Sequence, residues 1–199
     1  FEETLSVTGI HSAAGKKPRG QYITHPPLQS PHHTASYVSL VGGGASPKPG
    51  AITLSHKGVL FLDEFPEFEK RVVEALRQPL EDKVIHISRA KESMTFPADF
   101  MLVAAANPCP CGYYGAQLKE CNCTGSSLER YRRKLSGPII DRIDLWTQVS
   151  EVPAEKLSQK GAGEKSEIVR GRVIAGRKTQ KDYFNKHNVK LSAIAEAST

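Results

Sequence analysis

Between Gly58 and the acidic pair Asp63-Glu64 runs a short, unbroken apolar stretch, Val59-Leu60-Phe61-Leu62. A run of that length, bounded by a glycine and by charges, predicts a β-strand buried on both faces. The period then changes. Phe68, Val72, Val73, Leu76 and Leu80 fall on one helical stripe, so Phe65 to Asp82 predicts a helix, with Pro79 kinking or weakening its last turn. Alternation returns in Val84-Ile85-His86-Ile87-Ser88 and Ser93-Met94-Thr95-Phe96, on either side of the polar tip Arg89-Ala90-Lys91-Glu92, which is a β-hairpin pattern. Phe100 to Ala106 and Ile143 to Val149, the latter carrying Trp146, are further apolar runs that predict strands. Strands alternating with helical segments argue an α/β sheet.

The flanks read differently. Residues 1 to 57 are rich in Pro, Gly, His and Ser, with two broken apolar stretches at Thr4 to Ile10 and Tyr37 to Val41, and predict loops with short elements. From Glu151 the apolar fraction falls, Gly161-Ala162-Gly163 marks a flexible link, and Glu164 to Phe184 predicts a basic helix. Its Arg170, Arg172, Arg177, Lys178 and Lys181 read as solvating that helix. The division expected is a core over 1–150 and a linker with a helical start over 151–199.

The acidic strand end carries the first chemistry. Two adjacent carboxylates at the exit of an apolar strand are costly unless they are solvated, paired or bound to metal. In open α/β sheets the ligand crevice lies outside the carboxyl ends of the strands. There Asp63 suits a hydrated Mg²⁺, which takes one or two carboxylates plus water and phosphate oxygens, and Glu64 suits orienting a water. Taken alone, the pair is equally consistent with a solvated strand exit. The second run, Met101 to Ala106, ends in Asn107, whose neutral amide can bond both a water and a phosphate oxygen without adding charge, or can open a turn before Pro108.

The chain has 199 residues, 39% hydrophobic, enough for one core with a small appendage. No run approaches the roughly 20 apolar residues that span a bilayer, and the start Phe1-Glu2-Glu3 is unlike a signal peptide, so a cytoplasmic location is expected. The net charge of +6 permits phosphate contact and decides nothing by itself. All four cysteines fall in one segment. Cys109-Pro110-Cys111 and Cys121-Asn122-Cys123 are separated by nine residues that include Gly112 and Gly115, so one loop can bring four thiolates around an ion. Zn²⁺ is the default metal for such a set and is favoured over four free thiols. His32 and His33 read as local hydrogen-bonding residues rather than a metal pair, since neighbours on a strand point to opposite faces.

Several blocks together resemble the Mg-chelatase-like AAA+ family, ComM type. They are Ser30 to Ser36, Val41 to Gly44, Pro49-Gly50, Gly58 to Pro66, Leu76 to Asp82, Ala105 to Gly112 and Ser136 to Leu145, in family order across about three quarters of the chain. Gln29 stands where the family usually has Arg. The resemblance implies a three-layer P-loop NTPase core that uses ATP and Mg²⁺, with Asp63 and Glu64 as the Walker B pair and Asn107 as sensor 1. It implies that residues 84 to 96 form the presensor hairpin facing a ring pore, and that Arg142 is an arginine finger reaching a neighbouring subunit's nucleotide; a surface pair with Asp141 or Asp144 accounts for Arg142 otherwise. An Arg supplied in trans accelerates related phosphoryl transfers roughly a thousandfold or more. A homo-oligomeric ring, expected to be a hexamer, and DNA as partner follow from the same resemblance. Arg89 and Lys91 at the hairpin tip would then meet the DNA backbone; a solvated tip accounts for them equally.

No Gly, four residues, Gly-Lys and Ser or Thr occurs in the chain, so it carries no P-loop. In the family that motif precedes the residues that resemble Phe1 onward, and the sensor 2 Arg of the lid follows Thr199. The expectation is a segment that binds ATP weakly or not at all alone, within a full-length ATPase. The absent strand would lie between those ending at Asn107 and starting near Ile143, which then pair directly, stay open or recruit another chain. Three functions compete: a DNA motor with a branch-migration or helicase-like role in recombination or DNA uptake; the motor subunit of a magnesium chelatase; and a zinc-stabilised interaction module.

Overall fold

The computed structural model describes residues 1–16, 20–44, 47–88, 93–116, 119–135, 137–149 and 163–187. The chain divides into two compact units, Phe1–Val149 and Ser150–Thr199. Within the first lies a three-stranded parallel sheet with β4 (Val59–Leu62) at its centre, flanked by β1 (Leu28–Gln29) and β7 (Met101–Ala104). This is a mixed α/β fold consistent with a P-loop-type core.

β4 forms where its apolar run predicts, but its two faces differ. Leu60 and Leu62 are fully buried, while Val59 and Phe61 are half-buried. Gly58 allows the entry: a Cβ there would stand 1.9 Å from the Pro27 carbonyl oxygen, the acceptor for the Val59 N–H at 2.8 Å. On the other side the Lys57 N–H donates to the Asp99 carbonyl at 2.6 Å, and Lys57 Nζ lies 2.8 Å from Asp99 Oδ2. The Asp99 N–H donates to His56 Nδ1 at 3.1 Å. Burial, then the Lys57 charge, lowers the pKa of His56, which keeps this ring neutral and able to accept.

The helical stripe after β4 is broken into three pieces, a 3₁₀ turn (Phe65–Glu67), α4 (Lys70–Ala75) and α5 (Arg77–Asp82). Pro79 explains the second break. It lacks an N–H and its ring excludes the carbonyl four residues back, so the helix restarts at Arg77 and the proline sits in a first turn, where no N–H is needed. The apolar stripe still works as predicted: Phe68, Val72, Val73 and Leu76 join Leu60, Leu62, Leu40, Ile52 and Phe65 in the core, with Leu80 packed against it. The hairpin pairs β5 (Val84–Ser88) with β6 (Ser93–Pro97), and its Ile85 and Ile87 reach the same core.

Two expectations are corrected. Residues 1–57 were expected to be loops with short elements, yet Glu2–Ala13 forms α1, a 12-residue helix. Glu2 and Glu3 complement the positive end of its dipole, and His11 Nε2 bonds the Leu54 carbonyl at 3.0 Å. Only Val7 is buried, too little apolar periodicity to announce a helix. Short elements then follow: α2 (Tyr37–Val41), the β2–β3 pair (Gly42–Gly43 with Lys48–Pro49) and α3 (Ala51–Leu54).

The second correction is Ile143 to Val149, which is not a strand; Leu145 is 89% and Val149 84% exposed. A strand needs a neighbour for its backbone groups. Among the described residues no strand pairs with this run, and none pairs with the outer edge of β7, where Met101 is 58% exposed. In the second unit, α8 (Ser166–His187) forms where a basic helix is predicted, with Arg172 holding Glu164 through two bonds of 2.7 and 2.6 Å.

Candidate functional site

Asp63 and Glu64 leave β4 at its carboxyl end, beside the end of β7. The two strands are parallel with Leu62 opposite Ala104, and the pairing continues one step further: Ala105 N–H donates to the Leu62 carbonyl and Phe65 N–H to the Ala105 carbonyl, both at 2.9 Å. The acidic pair and the segment reaching Asn107 therefore share one edge of the sheet. Asp63, Glu64 and Asn107 are all exposed there.

The local backbone at Glu64 is unusual. It is left-handed, φ 51° and ψ 43°, a conformation that costs a non-glycine residue about 1–3 kcal/mol and gathers at functional sites. Its N–H donates to Asp63 Oδ1 at 2.9 Å. Its carboxylate Oε2 lies 2.8 Å from His33 Nδ1. An exposed carboxylate with a free oxygen beside Asp63 fits the outer coordination of a hydrated Mg²⁺ and the holding of a water.

The placement of the histidines corrects the sequence reading. They lie in a turn, not on a strand, and their rings stack with centroids 4.1 Å apart. His32 does bond locally, to Thr34 Oγ1 at 2.9 Å, but His33 reaches Glu64. His32, His33 and Glu64 bring ligand atoms within 4.8 Å of one another. What hid this in the sequence is β1, a strand of two residues, too short to show a pattern, whose pairing with β4 carries the turn to the acidic end.

Asn107 is tied through its backbone. The Tyr131 hydroxyl, in α6 (Gly125–Arg132), donates to the Asn107 carbonyl at 3.1 Å. Tyr131 is buried, and burial raises its pKa, which keeps the phenol a donor. No sequence signal singled out this tyrosine. Arg142 follows α7 (Gly137–Ile140) and its guanidinium bonds the Pro138 carbonyl and the Glu81 carboxylate, so its partner is neither Asp141 nor Asp144. Among the described residues its buried Nε has no partner. Arg89 and Lys91 lie outside the described residues; Lys83, at the hairpin base, lies 3.7 Å from Asp99 Oδ1.

Directly after Asn107 the four thiols converge, all within 4.8 Å of one another. Cys109 Sγ lies 3.3 Å from Cys111 and 3.7 Å from Cys121, and Cys111 lies 3.6 Å from Cys121. Disulfide sulfurs sit about 2.05 Å apart, whereas a tetrahedron of bonds near 2.3 Å has edges of about 3.8 Å, so the set fits zinc. Gly112, with φ +83°, turns the first knuckle, and the Tyr114 N–H points at Cys109 Sγ at 3.3 Å. A backbone hydrogen bond from Tyr113, helped by the neighbouring thiols, holds the Cys111 thiol down at about 6. Cys123 goes the other way: a backbone bond from Cys111 pulls it down, but desolvation and the surrounding thiols push it up to about 12. Such crowded thiols resist ionising together, which is the state a bound cation relieves.

The family model described as "Magnesium chelatase, subunit ChlI" matches residues 1–157. The chain belongs to this Mg-chelatase-like family, ComM type. It is similar to the "Uncharacterized protein YifB" of Escherichia coli (strain K12), 45% identical over 96% of this chain and 38% of that protein. It is similar also to the "Competence protein ComM" of Haemophilus influenzae, 47% identical over 84% of this chain and 33% of that protein. A weaker likeness, 31% over 49% of this chain and 11% of the other, joins it to the "DNA replication licensing factor Mcm6" of Drosophila melanogaster. The chain thus spans 38% and 33% of the length of the YifB and ComM relatives. Among the described residues no helix is long and apolar enough to cross a membrane.

Proposed function

We propose that this chain is the hydrolytic side of an ATP-driven ring motor that acts on DNA. The observation that carries the reading is the shared sheet edge, where Asp63-Glu64 and the segment to Asn107 leave adjacent parallel strands in register. Asp63 holds the waters of a metal ion, Glu64 orients the attacking water, and the Asn107 amide reads the outer phosphate. A bound Mg²⁺ supplies neutralisation of phosphate charge. Arg142 serves the nucleotide of a neighbouring subunit in a hexameric ring, after leaving Glu81. Residues 1–150 act as the ATPase core and 151–199 as linker and start of a helical lid, with the β5–β6 hairpin, Arg89 and Lys91 included, facing the pore. The phosphate-cradling P-loop belongs to another part of the full-length protein, so this segment alone turns over no ATP.

DNA as the substrate is supported by the names of two relatives, a competence protein and a replication licensing factor. A second reading, the motor subunit of a magnesium chelatase, is supported by the description of the family model. The cysteine cluster holds a structural zinc in either case. ATP hydrolysis by the full-length protein separates the two: stimulation by DNA is expected, and a rate indifferent to any nucleic acid sinks the DNA reading. In the same assay Glu64→Gln keeps nucleotide affinity and loses turnover by about 10²- to 10⁴-fold.

A further inference from the structure

Ala105 is held by the sheet just past β7, its N–H donating to the Leu62 carbonyl and its carbonyl accepting from the Phe65 N–H, both at 2.9 Å. Asn107 stands beyond that hold, exposed, with Pro108 behind it. Pro108 carries no N–H and steers the residue before it away from helical backbone. What meets the Asn107 carbonyl is a side chain 24 residues away, the Tyr131 hydroxyl, which donates to it at 3.1 Å. Tyr131 is the residue that α6 buries, at 8% exposure. The helix is placed at both ends. At its start Thr124 adjoins Cys123 of the thiol cluster, and its Oγ1 accepts the Ser127 N–H at 3.3 Å. Past its end, Lys134 Nζ lies 2.7 Å from Oε2 of Glu67, in the 3₁₀ turn that follows Glu64, and 5.7 Å from the centre of the Tyr131 ring. One short helix thus joins the exits of β4 and β7, and the cysteine loop carries the chain from Asn107 out to it.

We propose that Tyr131 is a positioning residue for Asn107. A phenol that holds the main-chain carbonyl sets the plane of that peptide, and with it the direction in which the Asn107 Cα sends its amide toward the outer phosphate. An amide offers donors and an acceptor at fixed angles and no charge, so its use depends on aim; a misplacement of about 1 Å can cost on the order of 10²-fold in rate. The sheet's own hydrogen bonds stop short of Asn107, and a tyrosine supplies the missing restraint without placing a charge beside the nucleotide. The loop from Cys109 to Cys123 is then more than a clasp. It gives α6 a fixed start, from which Tyr131 returns to the segment just before the first thiol. The inference rests on Asn107 being the residue that reads the outer phosphate.

The test is a double-mutant cycle in steady-state Mg-ATP hydrolysis by the full-length protein, comparing wild type, Tyr131→Phe, Asn107→Ala and the two together, each assayed well below its melting temperature. Tyr131→Phe removes the hydroxyl and keeps the ring that α6 buries. Its kcat is expected to fall about fivefold, with KM for Mg-ATP within about twofold of wild type. Asn107→Ala is expected to lose about 10²-fold in kcat. Adding Tyr131→Phe to it should cost less than about 1.5-fold more, because no amide is left to aim. Wild-type turnover in Tyr131→Phe overturns the proposal. A further loss of about fivefold in the double variant overturns it too, since the hydroxyl would then act on the fold at large and not through Asn107. So does a Tyr131→Phe effect confined to KM. Wild-type turnover in Asn107→Ala removes the phosphate-reading role and this inference with it; an impaired Asn107→Ala beside an unaffected Tyr131→Phe removes the inference alone.

Discussion

Among the described residues, two groups of side chains of metal-ligating types converge, Cys109, Cys111, Cys121 and Cys123 in one, and His32, His33 and Glu64 in the other. In both, the ligand atoms fall within 4.8 Å, yet the physics differs. The thiols have soft donor atoms at separations too long for a disulfide and right for a tetrahedral ion, with Cys109 fully buried. The second group is satisfied without an ion. His33 lies at hydrogen-bond distance from Glu64, and the Thr34 N–H donates to His32 Nδ1. The difference teaches that proximity of ligand types does not define a metal site; unsatisfied donor capacity does.

The comparison is broken most directly by metal analysis. Protein purified without chelator should hold about one zinc per chain; Cys109→Ser should abolish it and lower the melting temperature, while His32→Ala with His33→Ala should leave the zinc content unchanged. Zinc lost from the histidine variant would reverse the assignment. A smaller effect sharpens the picture within the thiols. In metal-free protein at pH 7, Cys111, held at about 6, is mostly thiolate, and Cys123, at about 12, is protonated. Iodoacetamide should therefore modify Cys111 at least about tenfold faster, as peptide mapping would show, and the preference should fade as pH falls below 6, where the Cys111 thiolate is lost. Equal labelling at pH 7 would contradict the arrangement described. The smallest effect concerns the link between α6 and the segment after β7. Tyr131→Phe removes the bond to the Asn107 carbonyl and should cost about 1 kcal/mol of stability, with zinc retained, measured by denaturant unfolding.

Much of the site was readable in advance because it is written in contiguous residues. The Val59–Leu62 run and its acidic exit, the β5–β6 alternation and the Cys-x-Cys pairs each depend on spacing along one stretch of chain. Other features escaped for physical reasons. Helix α1 buries a single residue, so its amphipathic signal is faint. Ile143 to Val149 has the composition of a strand, but composition does not provide a neighbour to pair with. The meeting of His33 with Glu64 depends on a two-residue strand and on contacts across distant segments, and no local pattern encodes those.

By itself the sequence determined which residue types stand at the carboxyl end of β4 and in the cysteine loop, since charge, thiol chemistry and short-range periodicity are properties of neighbouring residues. Only the tertiary structure decided which of these groups meet. The parallel register of β1, β4 and β7 brings His33 to Glu64 and sets the segment of Asn107 beside Asp63. Packing across the chain gives Arg142 to Glu81 and Tyr131 to Asn107. Those pairings are long-range, and it is backbone hydrogen bonding between strands, together with burial of the core beneath them, that selects them.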